Sequence, residues 1–284
     1  MPKDNFYDII NKNFIALKHK RLLEAHMKLV VKVGTSTLAH ASGRLNIRRM
    51  ELLCKVLSDL KNAGHEVILV SSGAIGMGVG KLKLSARPSD TAGKQAAAAV
   101  GQCELMYTYD KIFSEYDHTV AQILLTAEDL RNETRHKNFE NTMERLLKMQ
   151  VLPIINENDT VATEEIEIGD NDTLAGIVAV SVGADLLVLL SDIDGLYTAD
   201  PRKDENARLI ESVYEIDEHI ISLGGGKGSS LGTGGMATKL RAAEIVTARG
   251  CDMVITNGEH PEVLYDMADG KQIGTRFYAK KVDK

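Results

Sequence analysis

Leu29-Val30-Val31-Lys32-Val33-Gly34-Thr35-Ser36 is the stretch whose reading decides the fold. A near-continuous run of Val and Leu, without polar alternation, marks a strand buried on both faces of a largely parallel sheet. The same kind of run recurs at residues 67–70, 120–125, 151–155, 186–190 and 253–255. Between the runs lie helical patterns. Leu45, Met50, Leu53, Val56, Leu57 and Leu60 fall at helix spacing, and Gly64 follows as a stop. Residues 91–116, 135–149, 171–182 and 236–249 read the same way. Strand–helix alternation of this kind predicts an α/β fold, a three-layer αβα sandwich around a mainly parallel central sheet.

The 284 residues are 44% hydrophobic, which is ample for a large core and argues against disorder. Lys+Arg at 34 against Asp+Glu at 40 gives a net charge of -6, with no basic stripe of the kind a general nucleic-acid binder carries. Cys54, Cys103 and Cys251 are odd in number and stand far apart in no CxxC spacing, which argues against a disulfide framework or structural zinc site and fits a reducing cytoplasm. The most apolar window, 173–190, is interrupted by Gly183 and Asp185, so it reads as a helix followed by a strand rather than as a membrane span. Residues 1–27 lack the continuous apolar core of a signal peptide and read as a helical extension. Residues 28–284 read as one continuous domain. Beyond Ile193, Asp194-Gly195, Asp200-Pro201 and Gly224-Gly225-Gly226 predict hairpins before the final helix and strand. Met106, Tyr107 and Tyr109 read as helix packing, and Met143 and Met149 as core filler.

In open α/β sheets ligands bind at the carboxyl ends of the strands. Just past the predicted strands stand Gly34-Thr35-Ser36, the segment from Ser71 to Gly78, Asn156-Glu157-Asn158-Asp159, Gly169-Asp170-Asn171-Asp172 and Ser191-Asp192. Two glycine-rich segments open helices, Ser71 to Gly78 and Gly232 to Lys239, and a helix N-terminus with free backbone N–H groups suits phosphate. Lys32 sits inside an apolar strand, which is costly unless its ammonium meets an anion; a structural ion pair would also satisfy it. The P-loop pattern, the protein-kinase strings, a complete dinucleotide fingerprint and a full calcium loop are all missing. What remains is a phosphate-handling enzyme of another type.

Six strings taken together carry a resemblance. They are Val31 to Ser36, Ser71-Ser72-Gly73-Ala74-Ile75, Ile155 to Asp159, Gly169 to Asp172, Asp194-Gly195-Leu196-Tyr197-Thr198-Ala199-Asp200-Pro201 and Gly232 to Lys239. In this order, from about Leu29 to Phe277, the chain resembles the glutamate 5-kinase branch of the amino acid kinase family. That resemblance implies a mainly parallel sheet between helices. It also implies ATP-dependent phosphorylation of the side-chain carboxylate of L-glutamate, the first step of proline biosynthesis. Lys32, Asp172 and Lys239 would be catalytic, with Asp172 holding both lysines. Ser72, Gly73, Asn156, Asp159, Asp170 and Asn171 would bind glutamate in the N-terminal part. Lys32, Gly34, Ser191, Asp192, Thr233, Gly234, Gly235, Met236, Ala237, Thr238 and Lys239 would bind ATP, mainly from the C-terminal part, with Mg2+ held by the phosphates. The resemblance further implies feedback inhibition by proline, a homo-oligomer, a glutamyl-phosphate reductase as possible partner, a cytoplasmic location, and no nucleic-acid or membrane partner. The loop 160–168, with Glu164, Glu165 and Glu167, is expected to close over the amino acid or to be a solvated hairpin. Many family members continue into an RNA-modification-like module, whereas this chain ends seven residues after Phe277 and carries a longer leader. Two other readings stay open on the residues alone. One is a sister kinase acting on acetylglutamate, aspartate or uridylate; the other is a nucleotide-binding sensor without catalysis, against which the intact Lys32, Asp172 and Lys239 speak.

Overall fold

The computed structural model describes residues 26–40, 44–161, 171–225 and 235–280. At its centre lies β1 (Lys28–Val33), flanked by β2 (Glu66–Val70) on one side and β5 (Leu186–Ser191) on the other, both parallel to it. β4 (Leu152–Glu157) and β3 (Val120–Leu125) continue the sheet beyond β2, also parallel. β7 (Asp252–Asn257) continues it beyond β5. The order is β3-β4-β2-β1-β5-β7-β8-β6 in an eight-stranded sheet, where β8 is Thr275–Phe277 and β6 is Ser212–Val213. β8 runs antiparallel to β7, and β6 pairs with β8, so the sheet is parallel over its central strands and reverses at one edge.

Helices cover both faces. Alternate strand residues point to opposite faces, and each set has its own apolar cover. Leu29, Val31 and Val33 pack with α2 (Ile47–Asn62), α4 (Thr91–Ser114) and α10 (Val263–Ala268). Val30 and its neighbours Ile68, Val70, Leu187 and Leu189 pack with α6 (Glu133–Lys148), α7 (Asn171–Ser181) and α9 (Met236–Thr247). Lys32 belongs by parity to this second face, so its side chain rises toward α7 and α9. The remaining helices are short: α1 (Thr35–Leu38), α3 (Ala74–Lys81), α5 (Ala127–Arg131) and α8 (Glu218–Leu223). Among the described residues no helix is long and apolar enough to cross a membrane.

Two expectations need correction, while a third lies partly outside the described residues. Residues 196–210 double back as expected, joined by the Tyr197–Leu209 bridge, and the chain then forms β6 and α8, whereas the turn expected at Gly224-Gly225-Gly226 runs out of the described residues. α9 and β7 are followed by α10 and β8, strand and helix too short to carry a period. Met149 and Tyr107 stand 61% and 64% exposed, not in the core, whereas Met143 and Tyr109 are buried. The helical reading of 1–27 falls almost wholly outside the described residues.

Candidate active site

Strand order reverses across β1 and β5, and the carboxyl ends of the strands open there into a cleft of about 410 Å3. Ser72, Gly73, Ala74, Arg87, Glu157, Asp159 and Asn171 line it on the β2 and β4 side. Leu190, Ser191 and Asp192 line it on the β5 side, and Lys32, Lys239 and the loop Gly34-Thr35-Ser36 stand between.

A triad of charges forms the floor. The Nζ of Lys32 lies 2.5 Å from Oδ1 of Asp172, and the Nζ of Lys239 lies 2.9 Å from its Oδ2. The three side chains are 10%, 1% and 7% exposed. Three elements converge to make this contact: Lys32 near the end of β1, Asp172 in the first turn of α7, and Lys239 in the first turn of α9. A carboxylate in a helix's first turn is favoured by the helix dipole. Burial works against charge on Asp172, but the two ammonium groups outweigh it and hold its carboxyl below the ordinary aspartate value. Thr238 adds a hydroxyl that can donate to Oδ2 of Asp172 at 3.0 Å or to the Gly235 carbonyl at 2.7 Å. An ammonium has three N–H donors, so Lys32 can serve Asp172 and an anion in the cleft together.

On the β2 side the cradle is built from amides. Gly73 precedes α3 with φ +102, a left-handed conformation that glycine adopts without strain. The Nδ2 of Asn171 lies 2.8 Å from the Ser71 carbonyl, 2.7 Å from Oγ of Ser72 and 3.0 Å from Oδ1 of Asn156. Oδ1 of Asn171 is buried and lacks a hydrogen-bond partner among the described residues. Asn156 itself does not line the cleft. It is 1% exposed and donates through Nδ2 to Oε1 of Gln102 at 2.8 Å, so it stands behind Asn171 and fixes it. Ser71 is likewise locked from behind by the buried Tyr109 hydroxyl at 2.9 Å. Asp159 is partly buried, and desolvation raises its pKa against the opposing pull of Arg87.

Of the residues expected at the site, the structure brings Lys32, Gly34, Ser72, Gly73, Asp159, Asn171, Ser191, Asp192 and Lys239 together along this cleft. From the stretch 233–239, only Lys239 lines it as described. Gly235, Met236 and Ala237 open α9, Met236 packs partly into the core, and Thr238 turns to Asp172. Asp170, Thr233, Gly234 and the loop 162–168 lie outside the described residues. Glu157 lies inside the sequence string 156–159, but no role in the site follows from the sequence for it. Tyr109 reads there only as helix packing, and Arg87 and Gln102 stand in a loop and within a long helix, where no motif marks them.

Residues 27–257 match the model of the amino acid kinase family. The chain belongs to that family. Among amino acid kinases of known name, it is 51% identical to the glutamate 5-kinase of Clostridium perfringens, over 92% of this chain and 99% of that one. It is 55% identical to the glutamate 5-kinase of Clostridium tetani, over 92% and 98%. Against the glutamate 5-kinase of Carboxydothermus hydrogenoformans it is 52% identical, covering 92% of this chain and 70% of that one. Among solved structures, a carbamate kinase from Giardia lamblia bound to AMP-PNP superposes with a TM-score of 0.64 at 16% identity, over 90% of this chain and 99% of that one. A UMP kinase from Ureaplasma parvum gives 0.61 at 13% identity, over 89% and 99%. At such identities these two amino acid kinase structures speak for the fold alone.

Proposed function

We propose that this amino acid kinase transfers the γ-phosphoryl group of ATP to the side-chain carboxylate of L-glutamate, giving ADP and L-glutamyl 5-phosphate for proline synthesis. Similarity at half of all positions to named glutamate 5-kinases supports the substrate. The observation that carries the chemistry is the buried Lys32–Asp172–Lys239 triad on the floor of a two-ended cleft.

A carboxylate is ionised at neutral pH and needs no general base to become a nucleophile. One oxygen of the glutamate side chain attacks the γ-phosphorus as the bond from that phosphorus to the β,γ-bridging oxygen breaks, and ADP leaves with the electron pair. What the transfer needs is in-line placement and cationic compensation for charge on the moving group. Lys32, on the boundary between the two ends of the cleft, would hold the moving phosphoryl oxygens next to the acceptor. Lys239 would serve the ADP side. Asp172 would fix both ammonium groups before substrate arrives, so that little reorganisation is left for the reaction. Magnesium takes hard oxygen ligands and keeps most of them from phosphates and water; Asp192 and Ser191, at the β5 end, are oxygen donors that fit such an ion. When bound, the ion would neutralise phosphate charge.

At the other end, the α-ammonium of glutamate would meet Asp159, with Asn171 lining the cleft at the same end. An N-acetylated glutamate would leave that carboxylate unpaired, a penalty of about 1–3 kcal/mol or more. Proline as feedback inhibitor, a homo-oligomeric state, a cytoplasmic location and hand-over of the reactive acyl phosphate to a glutamyl-phosphate reductase extend the same proposal, on the strength of the family resemblance.

Trapping with hydroxylamine tests it. ATP-dependent hydroxamate should form with L-glutamate and not with N-acetylglutamate or L-aspartate, and proline should suppress it. Binding of ATP with no hydroxamate from any of the three acids would overturn the proposal.

A further inference from the structure

L-Glutamate carries three charges, and the groups discussed so far answer two of them. Lys32 faces the acceptor carboxylate and Asp159 the α-ammonium. The α-carboxylate needs a cation at the same end of the cleft as Asp159, and one is there. Arg87 lines the cleft together with Ser72, Asp159 and Asn171. It stands near enough to Asp159 to oppose the effect of burial on that carboxyl. Among the described residues it makes no ion pair and no hydrogen bond, while other surface arginines, such as Arg49 with Glu259 and Arg135 with Asp129, are paired.

The backbone that presents Arg87 is anchored on both sides. Before it, α3 closes with Lys83 at φ +55 and a bond from the Leu84 N–H to the Val79 carbonyl at 3.0 Å. After it, Pro88 restricts Arg87 to extended backbone. Asp90 then caps α4, its side chain accepting from the Gly93 N–H at 2.8 Å. A guanidinium on an anchored loop, lining the same cleft as the half-buried Asp159 and close enough to act on its charge, gives this end of the cleft one positive and one negative group. An α-amino acid presents the reverse pair on a single carbon. The planar fork of arginine suits bidentate capture of a carboxylate.

We propose that Arg87 is the specificity-determining residue that holds the α-carboxylate of the amino acid substrate, with Asp159 taking the α-ammonium. This rests on the glutamate reading of the same site. The test compares L-glutamate with its α-amide, which keeps the α-ammonium and the acceptor carboxylate and loses only the α-charge. In R87Q, kcat/KM for L-glutamate should fall about 10- to 100-fold through KM, with kcat and the KM for ATP nearly unchanged. With the α-amide, R87Q and wild type should perform alike, so the preference for glutamate collapses. R87K, keeping the charge without the fork, should recover part of the loss. Because Arg87 is exposed, the melting temperature should not move. An unchanged KM for glutamate, an equal loss with both acids, or a rise in the KM for ATP instead would overturn the assignment. If wild type phosphorylates neither compound, it is the glutamate reading itself that fails.

Discussion

Asp172 receives an ammonium on each oxygen, and the two lysines come from a strand and a helix more than two hundred residues apart. Removing one member of such a buried group costs more than the group contributes net, because the remaining charges stay buried without this partner. D172N should therefore lower stability by about 3–5 kcal/mol, read as a fall in melting temperature, together with turnover. K32A removes a buried charge as well as a donor and leaves Asp172 with Lys239. It should lower kcat by about 100- to 1,000-fold, the loss typical of a deleted transition-state donor, while ATP affinity changes far less. Thermal melts, ATP binding and single-turnover rates on the two variants separate these effects. Equal losses of ATP binding and turnover in K32A would show that Lys32 serves the nucleotide's ground state rather than the transfer.

Elements differed in how readily the sequence disclosed them. The central strands and long helices are legible because a buried parallel strand must be apolar at nearly every position and a long helix must repeat. β6 and β8 span two and three residues, too few for any period. Asn156 sits where a ligand amide is expected, yet its side chain turns inward to Gln102, and no spacing rule distinguishes the two directions. Arg87 is a lone basic residue in a loop and belongs to no pattern at all. The crossing of α3 over α4 was equally silent. A Cβ added at Gly101 would stand 1.8 Å from the Ala74 carbonyl oxygen, and one at Gly78 would stand 1.8 Å from that of Ala97. These glycines let two helices touch backbone to backbone, directly behind the loop that carries Ser72 and Gly73. Helix propensity alone would make Gly→Ala stabilising by up to about 1 kcal/mol. For G101A the clash should reverse the sign and cost about 1–3 kcal/mol, with a raised KM for glutamate as α3 shifts. Denaturant unfolding decides it: a variant as stable as wild type would mean that the helices part without cost.

Across the whole molecule, the glutamate end of the cleft and its floor hold aspartates displaced in opposite directions from the ordinary value of 3.8, Asp159 upward by burial and Asp172 downward by its lysines. The depressed carboxyl of Asp172 favours the fold in its ionised form. That contribution is complete above the unfolded value and is lost only as pH falls through the lower folded one. Asp159 has the opposite sign, since its protonated form is the one the fold tolerates best and stability is given up as pH rises through its raised value. Binding an α-ammonium, however, requires Asp159 ionised. On acidification the glutamate end should therefore fail first, with Asp159 taking up its proton while the triad, the fold and the ATP end are still intact. The KM for glutamate should climb over a pH range in which ATP affinity holds steady and the melting temperature does not fall. In D159N the KM should be high already at neutral pH and its acid climb shallower. Glutamate's own side chain titrates near ~4.3 with either enzyme, so the difference between the two profiles isolates Asp159. Glutamate and ATP affinities declining together in the wild type, along with the melting temperature, would mean that the two ends titrate as one unit and that the opposed shifts do not govern binding.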